Sequence, residues 1–437
     1  MPLLERAISI LHKATHPIVR KGWMHWLRFA VLLLIGSYIG HILSESERFA
    51  DWRLWLYQKQ MRWQRRGTVY PKYTALVLLN DEDYWKGDYE ARSPLRRDKL
   101  AALLDRLNAA GVNTVAFDVY LDSPHPDDPD YDFPTLRAED KDFFDALDRM
   151  CSAGRHVVLA TEFFWEDGDE NGHRIEQPSL YDSRLSSLPC VTNGHINFPD
   201  DMRKVPGQVE IKGRKTLDSL SLAITRITDP IGYRDLVRNE DRGYRFAQFL
   251  TPEDFSTRDG RQFIFSDAEL QRMTLTQLRE ALADRIVIVG GHWHQIAYNA
   301  GRWVDMWDSP GGVESGAMLH ASYVEAMRDP VSTFTPISDH TAEVLEWLLA
   351  LALALLGALE IHVGWKWAGF VLSFIASIVM TYALMQNLGI FLDFFIPILM
   401  ILLHTVTEAI LDMRHEVQHL KHQLHLHHQK IQEDRQP

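Results

Sequence analysis

TALVLLND (Thr74–Asp81), RRDKLAALLDRLNAAG (Arg96–Gly111) and VNTVAFDVYLDS (Val112–Ser123) follow one another and decide the fold. Thr74–Leu79 is an unbroken run of apolar or small residues ending at polar Asn80 and Asp81, the mark of a strand buried on both faces. Leu100, Leu103, Leu104 and Leu107 recur at three- and four-residue spacing and give a helix one apolar face. Gly111 stands where a left-handed cap would end that helix. Val112–Val119 then reads as a second strand with Asp118 near its end. Strand, crossover helix and strand make a βαβ unit, so the two strands are predicted to run parallel.

Working outward, the alternation continues. Asp122–Pro134 is a loop by its density of Pro and Asp. Lys141–Arg149 is a predicted helix with Phe143, Phe144, Leu147 and Met150 on one face, and His156–Phe164 a third strand. Gly194–Phe198 is a short strand, Leu217–Ile227 a helix, and Arg245–Leu250 a further strand. Leu275–Leu282 is a helix, and Arg285–Gly290 (RIVIVG) the clearest strand in the chain. Gly291–Gly312 is a glycine-rich, aromatic loop leading to a last helix, Met318–Met327. The expected class is α/β with a mainly parallel sheet.

The flanks are of another kind. Residues 1–26 are basic and aromatic, and 27–44 form an apolar stretch long enough, counted from Trp23, to cross a bilayer. Residues 343–362, 366–386 and 389–411 are three more apolar segments, with Trp347, Trp365 and Trp367 suited to the interface. Four spans put both termini on one side. Basic residues before the first span and after the fourth mark that side as the cytoplasm, and the location as a bacterial cell membrane. The α/β domain, 45–340, is thereby expected outside the cytoplasm. The tail, 412–437, carries Val417, Leu420, Leu424 and Ile431 at heptad-like spacing. The formal net charge of the 437 residues is −13, and no basic stripe appears, so nucleic acid is not an expected partner.

Candidate site residues come from strand ends, because ligands of open α/β sheets bind at the carboxyl edge. Asn80, Asp81 and Asp118 stand there; the two carboxylates are expected on adjacent strands, recognising a ligand, holding a metal, or simply capping turns against Arg96 or Arg97. Gly290-Gly291-His292-Trp293-His294 follows the clearest strand, and amides at such a turn can hold an anion. His320 is a distant third histidine. In the tail, His415 and His419 stand four apart on a helix and have metal-ligand spacing. Cys151 and Cys190, the two cysteines, are free to pair in an oxidising compartment, though nothing in the sequence brings them together. No GxGxxG, Walker loop, HExxH or GxSxG is present, so no cofactor is implied.

Several strings resemble the second type of CHASE sensor domain: ALVLLNDEDYW, the SPLRR turn, AGVNTVAFDVYLDSP, NGHINFPDD, LDSLSLAI, RIVIVGG and LHASYVEAM, spread over residues 45–340. The chain departs from that pattern at Asp200–Arg203 and in the HWHQIAYNAGRW loop. The resemblance implies a bacterial receptor with one membrane helix before the sensor and three after it, receiving an unknown extracytoplasmic ligand. The residues after 411 are too few for a catalytic core, so the expected output is a separately encoded cytoplasmic effector, served by a homodimer. Two other readings are a metal-dependent hydrolase using Asp81 and Asp118, and a membrane anchor that recruits a partner.

Overall fold

The computed structural model describes residues 70–336 apart from 94, 120, 122–137, 166–173, 177–186, 212–215, 241–244, 257–259 and 330–331. It also describes 54, 55, 57–59, the segment 363–391, and isolated positions elsewhere. The chain forms two compact units: Leu54–Thr335, and Met1–Arg53 with Pro336–Pro437.

The first unit is built on six parallel strands: β1 (Thr74–Asn80), β2 (Thr114–Asp118), β3 (His156–Thr161), β4 (Val191–His195), β5 (Ile264–Phe265) and β6 (Ile286–His292). Their order across the sheet is β5-β1-β6-β2-β3-β4. Helices α1 (Arg97–Ala110), α2 (Ala138–Ser152), α3 (Leu220–Thr228), α4 (Pro230–Glu240), α5 (Asp267–Arg272), α6 (Leu275–Leu282) and α7 (Gly316–Arg328) connect and cover them. Strand alternation divides the core. Val77, Leu79, Val115, Phe117, Val287 and Val289 point to α1, α2, α5 and α6. Leu76, Leu78, Ala116, Val158 and Ile288 point to α3 and α7. The period-two pattern and helices on both faces give a three-layer α/β domain.

Local chemistry places the helix ends. Gly111 adopts φ 92° and its amide reaches the Asn108 carbonyl, so α1 ends in the left-handed conformation that glycine takes without steric cost. Ser266 and Thr274 each form a capping box, with Glu269 and Gln277, and start α5 and α6.

Long-range pairing differs from expectation in one decisive place. β6 lies between β1 and β2, matching Asn80 with His292 on one side and Asp118 with Gly290 on the other. The strands carrying Asp81 and Asp118 are therefore not neighbours but two strand spacings apart, about 10 Å. The physical reason is burial: Ile286–Val289 is inaccessible on both faces, and a strand of that kind belongs in the middle of a parallel sheet. Smaller differences follow from the same long-range pairing. Only Phe246–Ala247 of the expected 245–250 strand forms, and it pairs antiparallel with Thr333–Phe334, outside the main sheet. The expected 194–198 strand is shifted to Val191–His195. The 291–312 loop contains β7 (Met306–Ser309), which makes a hairpin with β8 (Gly312–Ser315).

In the second unit, α8 (Val363–Leu388) is one helix of 26 residues that contains the third predicted span. Val371, Leu372, Ile375, Val379 and Tyr382 are exposed on it. Among the described residues no helix is long and apolar enough to cross a membrane. The other three predicted spans and the histidine tail with His415 and His419 lie outside the described residues, isolated positions aside.

Candidate functional site

The carboxyl edge of the sheet is covered by the segment after β6, and Asp81 holds that cover. Its carboxylate accepts the His294 backbone amide at 2.7 Å, His294 Nδ1 at 2.6 Å and the Asn299 amide at 3.1 Å. Burial works against its ionisation, but the His294 amide and imidazole and the Asn299 amide outweigh it and hold the carboxyl below its ordinary range. Aromatic packing completes the lock. Trp293 stacks on Tyr84 with ring centroids 4.3 Å apart, Trp303 stacks on His292 at 4.4 Å, and Trp85 Nε1 donates to the His294 carbonyl at 3.0 Å. Asp81 is thus the anchor of a loop, and its partners are not Arg96 or Arg97. Arg96 instead pairs with Asp98 and Glu90, while Arg97 is buried at the start of α1 and donates to the Leu95 carbonyl.

Gly290 and Gly291 lie inside β6, in register with Leu78 and Leu79 of β1. They are ladder residues rather than an anion-binding turn, which corrects that expectation. Glycine is required for closeness: a Cβ on Gly290 would come within 2.5 Å of Ala317 Cβ, and one on Gly291 within 2.7 Å of the Trp293 ring.

Asp118 has a different fate. It is buried at the end of β2, its Oδ1 lies 3.6 Å from His320 Nε2, and its Oδ2 meets no hydrogen-bond partner among the described residues. Burial first, then the charges of Asp305 and Glu162, push its carboxyl well above the ordinary range. Burial, with His195 nearby, takes His320 down to about 3. His320 Nδ1 is 3.1 Å from Ser221 Oγ, and Phe198 stacks on the ring at 4.8 Å. Burial thus works against charge on both members of the pair, which lies between β2, α7 and α3.

Next to the Asp81 lock, a cleft of about 390 Å³ opens at the ends of β5, β1 and β6, roofed by the β7–β8 hairpin. Leu78, Ile264, Phe265, Met306, Val313 and Met318 supply its apolar walls, and Asn80, Gln262, Ser266, Glu269 and His292 its polar positions. Asn80 Oδ1 already accepts the amides of Glu82 and Asp83. Burial lowers the His292 pKa, and its Nδ1 has no partner among the described residues. Of the residues picked from the sequence, Asn80 and His292 thus share a cleft, Asp81 braces its neighbour, and Asp118 sits beyond β6. Among the described residues no cluster of three or more His, Cys, Asp or Glu side chains is arranged to hold a metal. Cys151 and Cys190 form a disulfide with Cα atoms 5.2 Å apart, tying the end of α2 to the start of β4.

Two acids were not singled out from sequence. Asp305 accepts from Trp307 Nε1 at 2.7 Å and rises to about 6, through burial first. Glu325, on α7, accepts the amides of Lys72, Tyr73 and Thr74 and the Thr74 hydroxyl, at 2.7–3.0 Å. Its signal was the one carboxylate of that helix, set among Ala321, Val324 and Ala326.

A family model described as the CHASE2 domain matches residues 28–359, well over half of the chain. No curated protein and no solved structure matches.

Proposed function

The chain belongs to the CHASE2 domain family, a family of extracytoplasmic sensor domains, and on that premise we propose that it is a membrane-anchored receptor without catalytic activity of its own. In this reading the α/β domain lies outside the cytoplasm of a bacterial cell and takes a ligand at the carboxyl edge of the sheet. Four membrane helices then pass its state to a separate cytoplasmic effector, and two copies of the chain shift against one another to do so. The observation that carries it is the course of α7. Met318, near its start, lines the cleft; His320 faces Asp118; Glu325 grips residues 72–74, where the chain enters β1. A single helix thus joins the ligand edge to the opposite edge, where the chain enters β1. A ligand that prefers one placement of α7 shifts the equilibrium of that connection, and only such unequal binding can transmit.

Further support comes from the disulfide, which suits an oxidising compartment. Cysteine labelling of intact cells tests the topology. Sites engineered in 125–135 should react with an impermeant reagent and sites in 425–435 should not; reaction of both, or of the tail alone, would remove the reading. The mass of the purified chain checks the dimer, which a monomer in detergent and in nanodiscs would exclude.

A further inference from the structure

We propose that the cleft beneath the β7–β8 hairpin takes a small, largely apolar molecule that carries one hydrogen-bonding group for His292 and no negative charge. The proposal deepens the sensor reading above and rests on it only for the consequence of binding. The first support is the place. The cleft sits at the ends of β5, β1 and β6, where open parallel sheets take their ligands, and its volume of about 390 Å³ falls in the range of small-molecule sites. The second is the wall chemistry. Leu78, Ile264, Phe265, Met306 and Met318 come from four separate elements of the fold and present hydrocarbon or thioether to the space. An apolar ligand would gain by leaving water there.

The third support is charge. The described residues lining the cleft include no Lys or Arg, and the one formal charge among them is the carboxylate of Glu269. Glu269 is itself committed, since its Oε2 accepts the Ser266 amide at 2.8 Å within the capping box of α5. An anion entering the cleft would lose water without gaining a counter-charge, and would face Glu269. A neutral molecule avoids that cost, and a cation can place its charge at the Glu269 rim.

The fourth support is the imidazole of His292, which lines the cleft. His292 stacks on Trp303, which fixes the plane of its ring, and its Nδ1 is buried without a hydrogen-bond partner among the described residues. Buried polar atoms are nearly always satisfied, so an unsatisfied one on a ring that lines a cleft marks a place where a ligand's group can complete the pairing. Burial keeps this imidazole neutral, and a neutral ring nitrogen can accept from a ligand N–H.

The test uses the full chain in nanodiscs of zwitterionic lipid, with empty nanodiscs as the blank, and four probes of one shape: indole, 1-methylindole, tryptamine and indole-3-acetate. Equilibrium dialysis should show indole and tryptamine binding, indole-3-acetate at least tenfold weaker, and 1-methylindole, which lacks the N–H, about fivefold weaker than indole. Val313→Trp and Met306→Trp, which fill the cleft from the hairpin, should each weaken indole at least tenfold with the unfolding midpoint kept. His292→Phe should erase the difference between indole and 1-methylindole. Failure of all four probes to bind, or indole affinity unchanged in both filled variants, would overturn the site. Equal or tighter binding of indole-3-acetate would overturn the ligand class. Neither result touches the sensor reading, which the labelling of the two regions decides separately.

Discussion

Replacing Glu325 with alanine should lower the unfolding midpoint of the α/β domain by about 6–10 °C. The carboxylate accepts four hydrogen bonds: Tyr73 N, Thr74 N and Thr74 Oγ1 converge on Oε1, and Lys72 N reaches Oε2. A hydrogen bond to a charged group contributes about 1.5–3 kcal/mol, and a buried donor left without an acceptor costs about 1–3 kcal/mol. Lys72 and Tyr73 are part-exposed, so water can replace the carboxylate there; Thr74 is fully buried and cannot be compensated. The sum expected is about 3–5 kcal/mol. In a domain of this size each kcal/mol moves the midpoint by about 2 °C, which gives the stated range. Glu325→Gln separates this account from a simple packing defect. The amide oxygen can keep the three donors at the Oε1 position, and only Lys72 N would then face an NH₂ group. Glutamine should therefore cost about 1–2 kcal/mol, a drop of about 2–4 °C. Thermal unfolding of the purified full chain in nanodiscs, followed by near-ultraviolet circular dichroism, measures both. A drop below 2 °C for alanine, or equal drops for alanine and glutamine, would refute the assignment of Glu325 as a clamp. The glutamine variant, still folded, is also the one in which ligand response should be loosened from output.

Asp267 is raised to about 6 by burial and then by the charge of Asp83, so the folded state holds its proton more tightly than the unfolded chain. Its stabilising contribution is complete near pH 4 and is lost as pH rises through about 6. Asp267→Asn should then leave stability unchanged at pH 4 and raise it by at most about 3 kcal/mol at pH 8, readable by denaturant titration at the two pH values. Gly290→Ala puts a methyl group against Ala317 and should cost about 1–3 kcal/mol, with Ala317→Gly restoring part of the loss in the double variant; a purely additive double variant would argue against this contact. Cys151→Ser with Cys190→Ser opens a loop with a sequence separation of 39 residues, for which chain entropy gives about 4 kcal/mol; an unchanged midpoint in reducing and oxidising buffer alike would show that the bridge does not form in solution.

Much of this protein can be read from local pattern. The strands at 74–80, 156–161 and 286–292 are dense in Val, Leu, Ile and Ala because a parallel strand is buried on both faces, and that composition survives in any context. The Leu100–Leu107 stripe and the Gly111 cap likewise act within a few residues of themselves. What local pattern cannot carry is which strand lies beside which. Ile286–His292 enters between two strands that precede it by more than 150 positions, and this insertion alone separates Asp81 from Asp118. Once separated, the two acids meet opposite surroundings. Asp81 is charged under backbone amides of the covering loop, and Asp118 is driven toward its neutral form by burial beside His320. The partner of Cys151, the grip of Glu325 on residues 72–74 and the cleft at His292 are decided the same way, by groups brought together from distant parts of the chain. Periodicity and capping are short-range consequences of backbone geometry, so sequence determines them. The protonation state of a carboxyl and the shape of a cleft are set by everything packed around them, so only the tertiary structure determines those.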